Sequence, residues 1–544
     1  MSKTAVRVVL SVVAIIVLLG LAASLILTFG YRNYVKNAVV TVLQDRFHSD
    51  VQIKDIRVVI FPRIYATATG VTLLYHDRTD IPPFLIIDKL EVAADFWSLF
   101  KAPRRVSSVH LIGLQIHVPP REPSPKVENP NRKPRLPVII DKIICDETTF
   151  VMLPKDPTKI PMQFDIHHLV MNEFRPDGPA DFHATLRNPK PVGGIETQGQ
   201  FGPWQADEPS QTPVRGTFSF TNADLGTLKG ITGILSSKGG YDGVLDHLNV
   251  EGDTDTPDFA LRTSAHPVDL KAHYVAVVDG TNGNTYLKSV VAHFRNSTIN
   301  TSGEVVKNPD AGARGVILDA TVDQGRVDDM LYLVVKSDKP VMHGGIKLTA
   351  RIDLPPRPGV DLFDRLILNG KFSVADAHFT SESVQQKVDS LSRRGQGEPK
   401  NGDIEDVVSN LNGSFMLKDH LVDFSSLTFD VSGAKVDLAG SYDMNSEQLD
   451  FAGHLSLNAK LSQTTTGAKS VILRAFDPFF HKNGAGTSLP IRITGSRSSP
   501  SFGLDFHRKD NDKDSDKDKA TKKEAKKKEK EDQKQQKAKE DAGT

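Results

Sequence analysis

Cysteine is almost absent from this chain: Cys145 is the one thiol in 544 residues. It can form no disulfide within the chain and belongs to no metal-spaced cluster. A lone cysteine suits an exported bacterial protein without disulfides and a cytosolic protein equally, so the redox compartment stays open. Net charge is also missing, because 67 basic residues cancel 67 acidic ones. That removes any global attraction to nucleic acid or to an acidic substrate. The chain carries no P-loop, no GxSxG and no HExxH. GGYDGV (239–244) has glycines without dinucleotide-binding spacing. His167 and His168 are adjacent, so on a strand they point to opposite faces and share no metal. DGTNGNT (279–285) and EGDTDTPD (251–258) carry oxygen ligands at alternate positions, as calcium loops do. Neither has the 12-residue pattern closed by a glutamate, and ordinary turn chemistry accounts for both. The sequons at Asn296, Asn300 and Asn412 matter only in a eukaryotic secretory setting. We therefore expect no enzyme, no metal and no cofactor.

What is present is alternation. In LDFAGHLSLNAKL (449–461), Leu449, Phe451, Leu455, Leu457, Ala459 and Leu461 share one parity, while His454, Ser456, Asn458 and Lys460 share the other. That is a half-buried strand with one apolar face. Similar strands read at 51–60, 63–75, 84–94 and 105–118, the last broken near Gly113. VDLKAHYVAVV (268–278) and YLKSVVAHF (286–294) form a hairpin, with Tyr286, Val290, Ala292 and Phe294 on one parity. Alternation continues at 344–354, over about 411–502 and at 489–496. Helices are few: 325–335, part of 380–410, and 470–483 with an aromatic end.

Both termini differ from the rest. Val8 to Phe29 is an uncharged apolar run of about 22 residues, enough to span a hydrocarbon core of roughly 30 Å and longer than the apolar core of a cleaved signal. We read an uncleaved anchor with the N-terminus in the cytoplasm, although Lys3 and Arg7 on one flank and Arg32 and Lys36 on the other give little bias. YRNYVKNAVVTVLQDRF (31–47) is an amphipathic helix, read as packing on the strands that follow; a plug or hinge beside the membrane is the functional alternative. DFWSLFKAPR (95–104) is a helical turn and loop whose aromatics suit either core or a headgroup zone. Residues 119–137 hold seven prolines among charges and read as an extended linker. From 507 to 544 there is no apolar face, so a solvated, disordered tail is expected.

Half-apolar strands need a second layer. Two sheets packed as sandwiches would supply it. So would one long curled sheet whose apolar side holds something other than protein. Alternation suits both.

The two ends of the chain carry a resemblance. The anchor, the helix, VQIKDIRVVIFPRIYATATGVTLLY, FLIIDKLEVAADFWSLF and RVSSVHLIGLQIHVPP resemble the start of AsmA-like proteins of the bacterial envelope. LNGSFMLKDHLVDFSSLTFDVSGAKVDLAGSYDMNSEQLDFAGHLSL, with FDPFF and LPIRITGSRSSPSF, resembles their C-terminal region. The likeness covers roughly residues 1–118 and 360–504. It implies a periplasmic, inner-membrane-anchored protein with a chorein-like β-groove that carries phospholipid toward the outer membrane. An envelope partner protein would fit beside it. On this reading the fold is mainly β: an N-terminal transmembrane helix, an elongated curled antiparallel sheet forming a groove, few short helices and a disordered tail. The expected divisions are 1–30 (anchor), 31–118, 119–137 (linker), 138–355, 356–506 and 507–544 (tail). The expected groove lining is Phe429, Val431, Val436, Leu438, Phe451, Leu455, Leu457 and Leu461. Some fifteen strands in line would span only about 70 Å, which favours partial or partner-assisted transfer. Two alternatives stand beside it: a non-catalytic scaffold for envelope assembly built of closed sandwiches, and a hydrolase.

Overall fold

The computed structural model describes residues 50–505 except 60–62, 75–81, 96, 100–102, 119–137, 153–161, 176, 206–207, 309–312, 338, 475–476 and 478–485, together with Lys36, Asn37, Val40, Thr41 and Gln44. The expected anchor, linker and tail lie outside these residues. Among the described residues no helix is long and apolar enough to cross a membrane.

The strands form one large curled sheet of 25. Setting aside the short pieces Arg104–Val106 and Ile231–Thr232, 23 rungs remain, each bonded to its neighbour in chain order. The expected fifteen was too low. At 4.7–4.9 Å per rung the sheet runs about 105 Å. All rung pairs are antiparallel except one: Ser108–Val118 pairs in parallel with Val138–Met152. Parallel pairing obliges the chain to return along the length of a strand, about 35 Å. Nineteen residues separate Val118 from Val138, and proline-rich chain of that length can reach about 59 Å at 3.1 Å each, enough for the return.

Register holds one parity on one face throughout. Ile56 faces Ala68, Ala68 faces Leu90, and Leu90 faces Leu111. Far along the sheet, Phe429 faces Val436, Val436 faces Leu455, and Leu455 faces Leu489. The apolar face is the sheltered one. In His247–Leu261, Leu248, Val250, Gly252, Thr254 and Thr256 are buried or half-buried, while His247, Asn249, Glu251, Asp253 and Asp255 are exposed. A flat bare sheet would expose both faces alike, so this difference reports curling toward the apolar side.

Bulges change parity where alternation alone misleads. The register slips between Leu287 and Val290, so Leu287 joins the apolar face. Tyr286 turns to the polar face and is exposed, against the expectation that it shares a face with Val290. At Gly113 a positive φ of 66° makes the expected break, letting Leu111 and Leu114 both face the core.

The α-helices sit along one long edge of the sheet. Every strand has an end at this edge: Asp50 of the first, Arg326 and Met342 around helix α1 (Val327–Val334), Phe379 and Ser409 around α2 (Glu382–Gln396), and Leu457 and Thr487 around α3 (Ala468–Leu473). Val40, from the segment read as an amphipathic helix, packs at this edge against a cluster containing Val51, Ile53, Val71 and Leu73. The opposite edge is made of turns such as 419–420 and 444–447, with 3-10 turns at Trp97–Leu99 and Phe363–Arg365.

Helix α1 is pinned through a buried carboxylate. Asp329 is fully buried; its Oδ1 lies 3.0 Å from Arg295 Nε, and its Oδ2 accepts from Asn296 N–H (3.0 Å) and Ser297 Oγ (2.8 Å). The Arg295 guanidinium lies 4.3 Å over the Tyr332 ring, and His266 stacks on the same tyrosine with ring centroids 4.5 Å apart. Asp329→Ala removes three charge-assisted bonds, a loss of about 2–3 kcal/mol. Amides of α1 are then expected to exchange with deuterium roughly 30–150-fold faster, while strands 409–457 keep their protection.

Candidate functional site

The apolar face is the candidate site, and what covers it decides its use. Helix α2 covers part. Val388 of α2 packs with Val431, Ala434 and Leu457, and Phe429, Leu455 and Leu391 lie against this cluster. Buried polar groups fix the helix in place. Gln385 Nε2 donates to Asp389 Oδ1 (3.0 Å) and to the Val407 carbonyl (2.9 Å), Asp389 Oδ1 also accepts from Val407 N–H (3.0 Å), and Ser392 Oγ donates to the Ser432 carbonyl (2.8 Å). The helix closes at Gly397, whose φ of 82° lets Gly397 N–H bond the Arg394 carbonyl and Glu398 N–H bond the Arg393 carbonyl.

The expected lining residues therefore fall into three groups. Val431 and Leu457, 4 % and 5 % exposed, are covered by protein, with Phe429 and Leu455 packed beside them. Val436, Leu438 and Phe451 lie on the apolar face away from that cluster; Val436 and Leu438 are half-buried and Phe451 is buried. Leu461 is not on the sheet. The strand ends at Leu457, and Leu461 opens a 3-10 turn, Leu461–Thr464. Asn458 N–H bonds the Gly433 carbonyl and Ala459 N–H the Gly395 carbonyl, which turns the chain out of the ladder.

Alternation in 411–461 pointed at this end alone, and the face extends far beyond it. A row of rings crosses it: Phe372–Phe415, Phe415–Phe424 and Phe424–Phe451, with centroids 6.2, 6.3 and 5.8 Å apart. Further back, aromatics lie over glycines on neighbouring strands. Phe218 faces Gly239, Tyr241 faces Gly216, Tyr274 faces Gly252, Phe415 faces Gly370 and Phe372 faces Gly413. A Cβ on any of these glycines would lie 2.5–3.0 Å from the nearest atom of the aromatic side chain. The rings thus lie along the floor instead of standing up from it. Tyr241 and Tyr274 hydroxyls are satisfied by Thr197 Oγ1 (2.7 Å) and Ser237 Oγ (3.1 Å), and burial raises both phenols above their ordinary pKa. GTFSF (216–220) and GKFSV (370–374), with glycine two residues before an aromatic, were the available signal.

The polar groups outside this face form ordinary structure. Asp279 Oδ1 accepts from Thr281 N–H and Oγ1, and the Arg314 guanidinium donates to the Asn282 and Gly283 carbonyls, so an internal cation occupies the DGTNGNT turn. EGDTDTPD is strand, with Glu251, Asp253 and Asp255 on the exposed face. Among the described residues no group of three or more His, Cys, Asp or Glu could hold a metal. Asp146 bridges His168 and His110 across three strands at 2.6 Å each, and these bonds, His168 first, hold its carboxyl below its ordinary pKa. Cys145 lies on the apolar face in the first core cluster, and burial pushes its thiol up to about 11.

No family model, no curated protein and no solved structure matches this chain.

Two outcomes follow from the burial. Leu457→Asp puts an unpaired charge under α2 and should cost about 3 kcal/mol or more, whereas Leu438→Asp should cost about 1 kcal/mol; urea midpoints and proteolysis between 398 and 408 separate them. Cys145 should react with iodoacetamide at pH 8 at least about 100-fold more slowly than in the urea-unfolded chain, since two pKa units alone reduce the thiolate a hundredfold.

Proposed function

We propose that the curled apolar face is a groove for phospholipid acyl chains. On this reading the chain is held in the bacterial inner membrane by residues 8–29, with its bulk in the periplasm, and contributes to lipid movement toward the outer membrane. The observation that carries it is the asymmetry of the cover: helices line one long edge, while the apolar face continues through 23 rungs whose turn-bearing edge holds no α-helix among the described residues. Acyl chains entering it would leave water with a gain of about 0.8 kcal/mol per buried methylene, while headgroups stay wet at the open edge. No catalytic residue is needed. A floor of rings laid flat over glycines would let tails slide between sites of similar energy. A length of about 105 Å is greater than the strand count from sequence suggested, which favours a longer path.

Besides the cluster beneath α1, the scaffold reading has in its favour the sealed cluster beneath α2. It concerns Val431, Ala434 and Leu457 and leaves Phe415, Phe424 and Leu438 out.

The test uses the full chain in membranes containing phosphatidylethanolamine with a diazirine on one acyl chain. After irradiation, label is expected on peptides carrying Phe415, Phe424 and Leu438. It should fall at least about fivefold in Phe424→Asp/Leu438→Asp protein whose urea midpoint moves little. Label confined to residues 8–29 would remove the lipid reading and leave the scaffold.

A further inference from the structure

The two ends of the sheet are finished differently. At the first strand, Asp50–Val59, the edge is attended: Lys36 Nζ lies 3.5 Å from the Lys54 carbonyl, and Val40 packs on the adjoining cluster. At the last strand, Ser499–Leu504, every residue is exposed, with Phe502 at 73 % and Leu504 at 49 %. Antiparallel pairs alternate between hydrogen-bonded and non-bonded. Asp505 N–H donates to the Pro490 carbonyl at 3.0 Å. By alternation Ser499, Ser501 and Gly503 also bond inward, and the main-chain groups of Pro500, Phe502 and Leu504 face out. The same residues stand on the apolar face, since Phe502 faces Ile493 and Leu504 faces Ile491. Donors and acceptors for one more strand, and an apolar row for it to cover, therefore coincide.

The geometry points to this edge as a docking site for a β-strand of a different protein, with apolar residues at every second position. Main-chain bonds to Phe502 and Leu504 would hold it, and its apolar residues would lie opposite theirs, extending the face by another rung. Two other occupants fit worse. The chain's own residues 507–544 hold no apolar alternation with which to cover Phe502. A second copy must pair outward residues with outward residues, and the register that makes the most such pairs centres on Phe502. Pro500 then faces Leu504 of the other copy on both sides, and the missing proline N–H leaves two Leu504 carbonyls unpaired. Such a dimer would also set the two copies of the first strand, Asp50–Val59, at opposite ends of a sheet about 210 Å long. The assignment stands whether or not the groove carries lipid.

The test uses the full chain in phospholipid nanodiscs and one probe, a fluorescein-labelled peptide of alternating valine and threonine with lysines at both ends. Anisotropy should show one saturable site per chain, absent for a scrambled peptide and for one N-methylated at alternate residues. Phe502→Pro removes an outward N–H and leaves the inward ladder alone; Phe502→Asp removes the apolar contact. Each should weaken binding at least tenfold. Hydrogen exchange guards against simple unfolding: Phe502 and Leu504 amides should be fast in the free chain and slow with peptide, while Ser501 and Gly503 stay protected in both. Binding equal to the scrambled peptide, or unchanged in both variants, overturns the assignment. So does a Phe502→Cys chain that disulfide-links to itself quantitatively, because the edge then belongs to a second copy.

Discussion

Side-chain parity carried across main-chain hydrogen bonds is the constraint on which the rest of this molecule depends. In a strand, neighbouring residues point to opposite faces, and a paired strand must match its neighbour residue for residue or turn its whole apolar set outward. Here that match is kept from Val51 to Ile493. Where an extra residue intrudes, as beside Leu287, a bulge absorbs it and the next apolar residue returns to the common face. The one parallel pair obeys the same rule, since Leu111 beside Cys145 and Val109 beside Ile143 continue the apolar rows. A single apolar surface of this length follows from local pairing repeated, with no long-range sorting of strands into layers.

Cover is then added from one side. Each helix occupies a connection at the same long edge, so its apolar residues reach only the near ends of the strands: Val327 and Met330 lie near Val322 and Ile346, and Val388 near Val431 and Leu457. Both α1 and α2 are held by buried carboxylates: both oxygens of Asp329 are engaged, and Asp389 Oδ1 accepts from Val407 N–H and Gln385 Nε2. Such groups are costly to bury unpaired and well placed when satisfied. They make the capped edge a fixed wall, and leave the turn-bearing edge as the side where the face meets solvent.

Much of this was legible in the sequence, and the failures have physical causes. The hairpin 268–278 with 285–294, helix α1 and the alternation of 434–457 were readable because each rests on local spacing. Tyr286 was misplaced because a bulge leaves no mark on composition. Leu461 was misplaced because parity continues past a strand's end, while the ladder stops where Ala459 N–H finds Gly395 instead of a strand partner. Half of the expected lining proved covered, because alternation tells which face is apolar and nothing about which helix lies on it. The choice between one sheet and two was likewise hidden, since both require the same strands.

The single parallel junction has a consequence for how such a chain folds. Most antiparallel rungs close a short loop with the strand just made, so structure can grow rung by rung, in the manner of a repeat array with nearest-neighbour coupling. That rhythm is interrupted at the junction between Ser108–Val118 and Val138–Met152, where nineteen residues must be closed, and at the 29-residue connections 380–408 and 458–486 that carry α2 and α3. Loop closure therefore divides growth into runs of four, thirteen, four and two principal rungs.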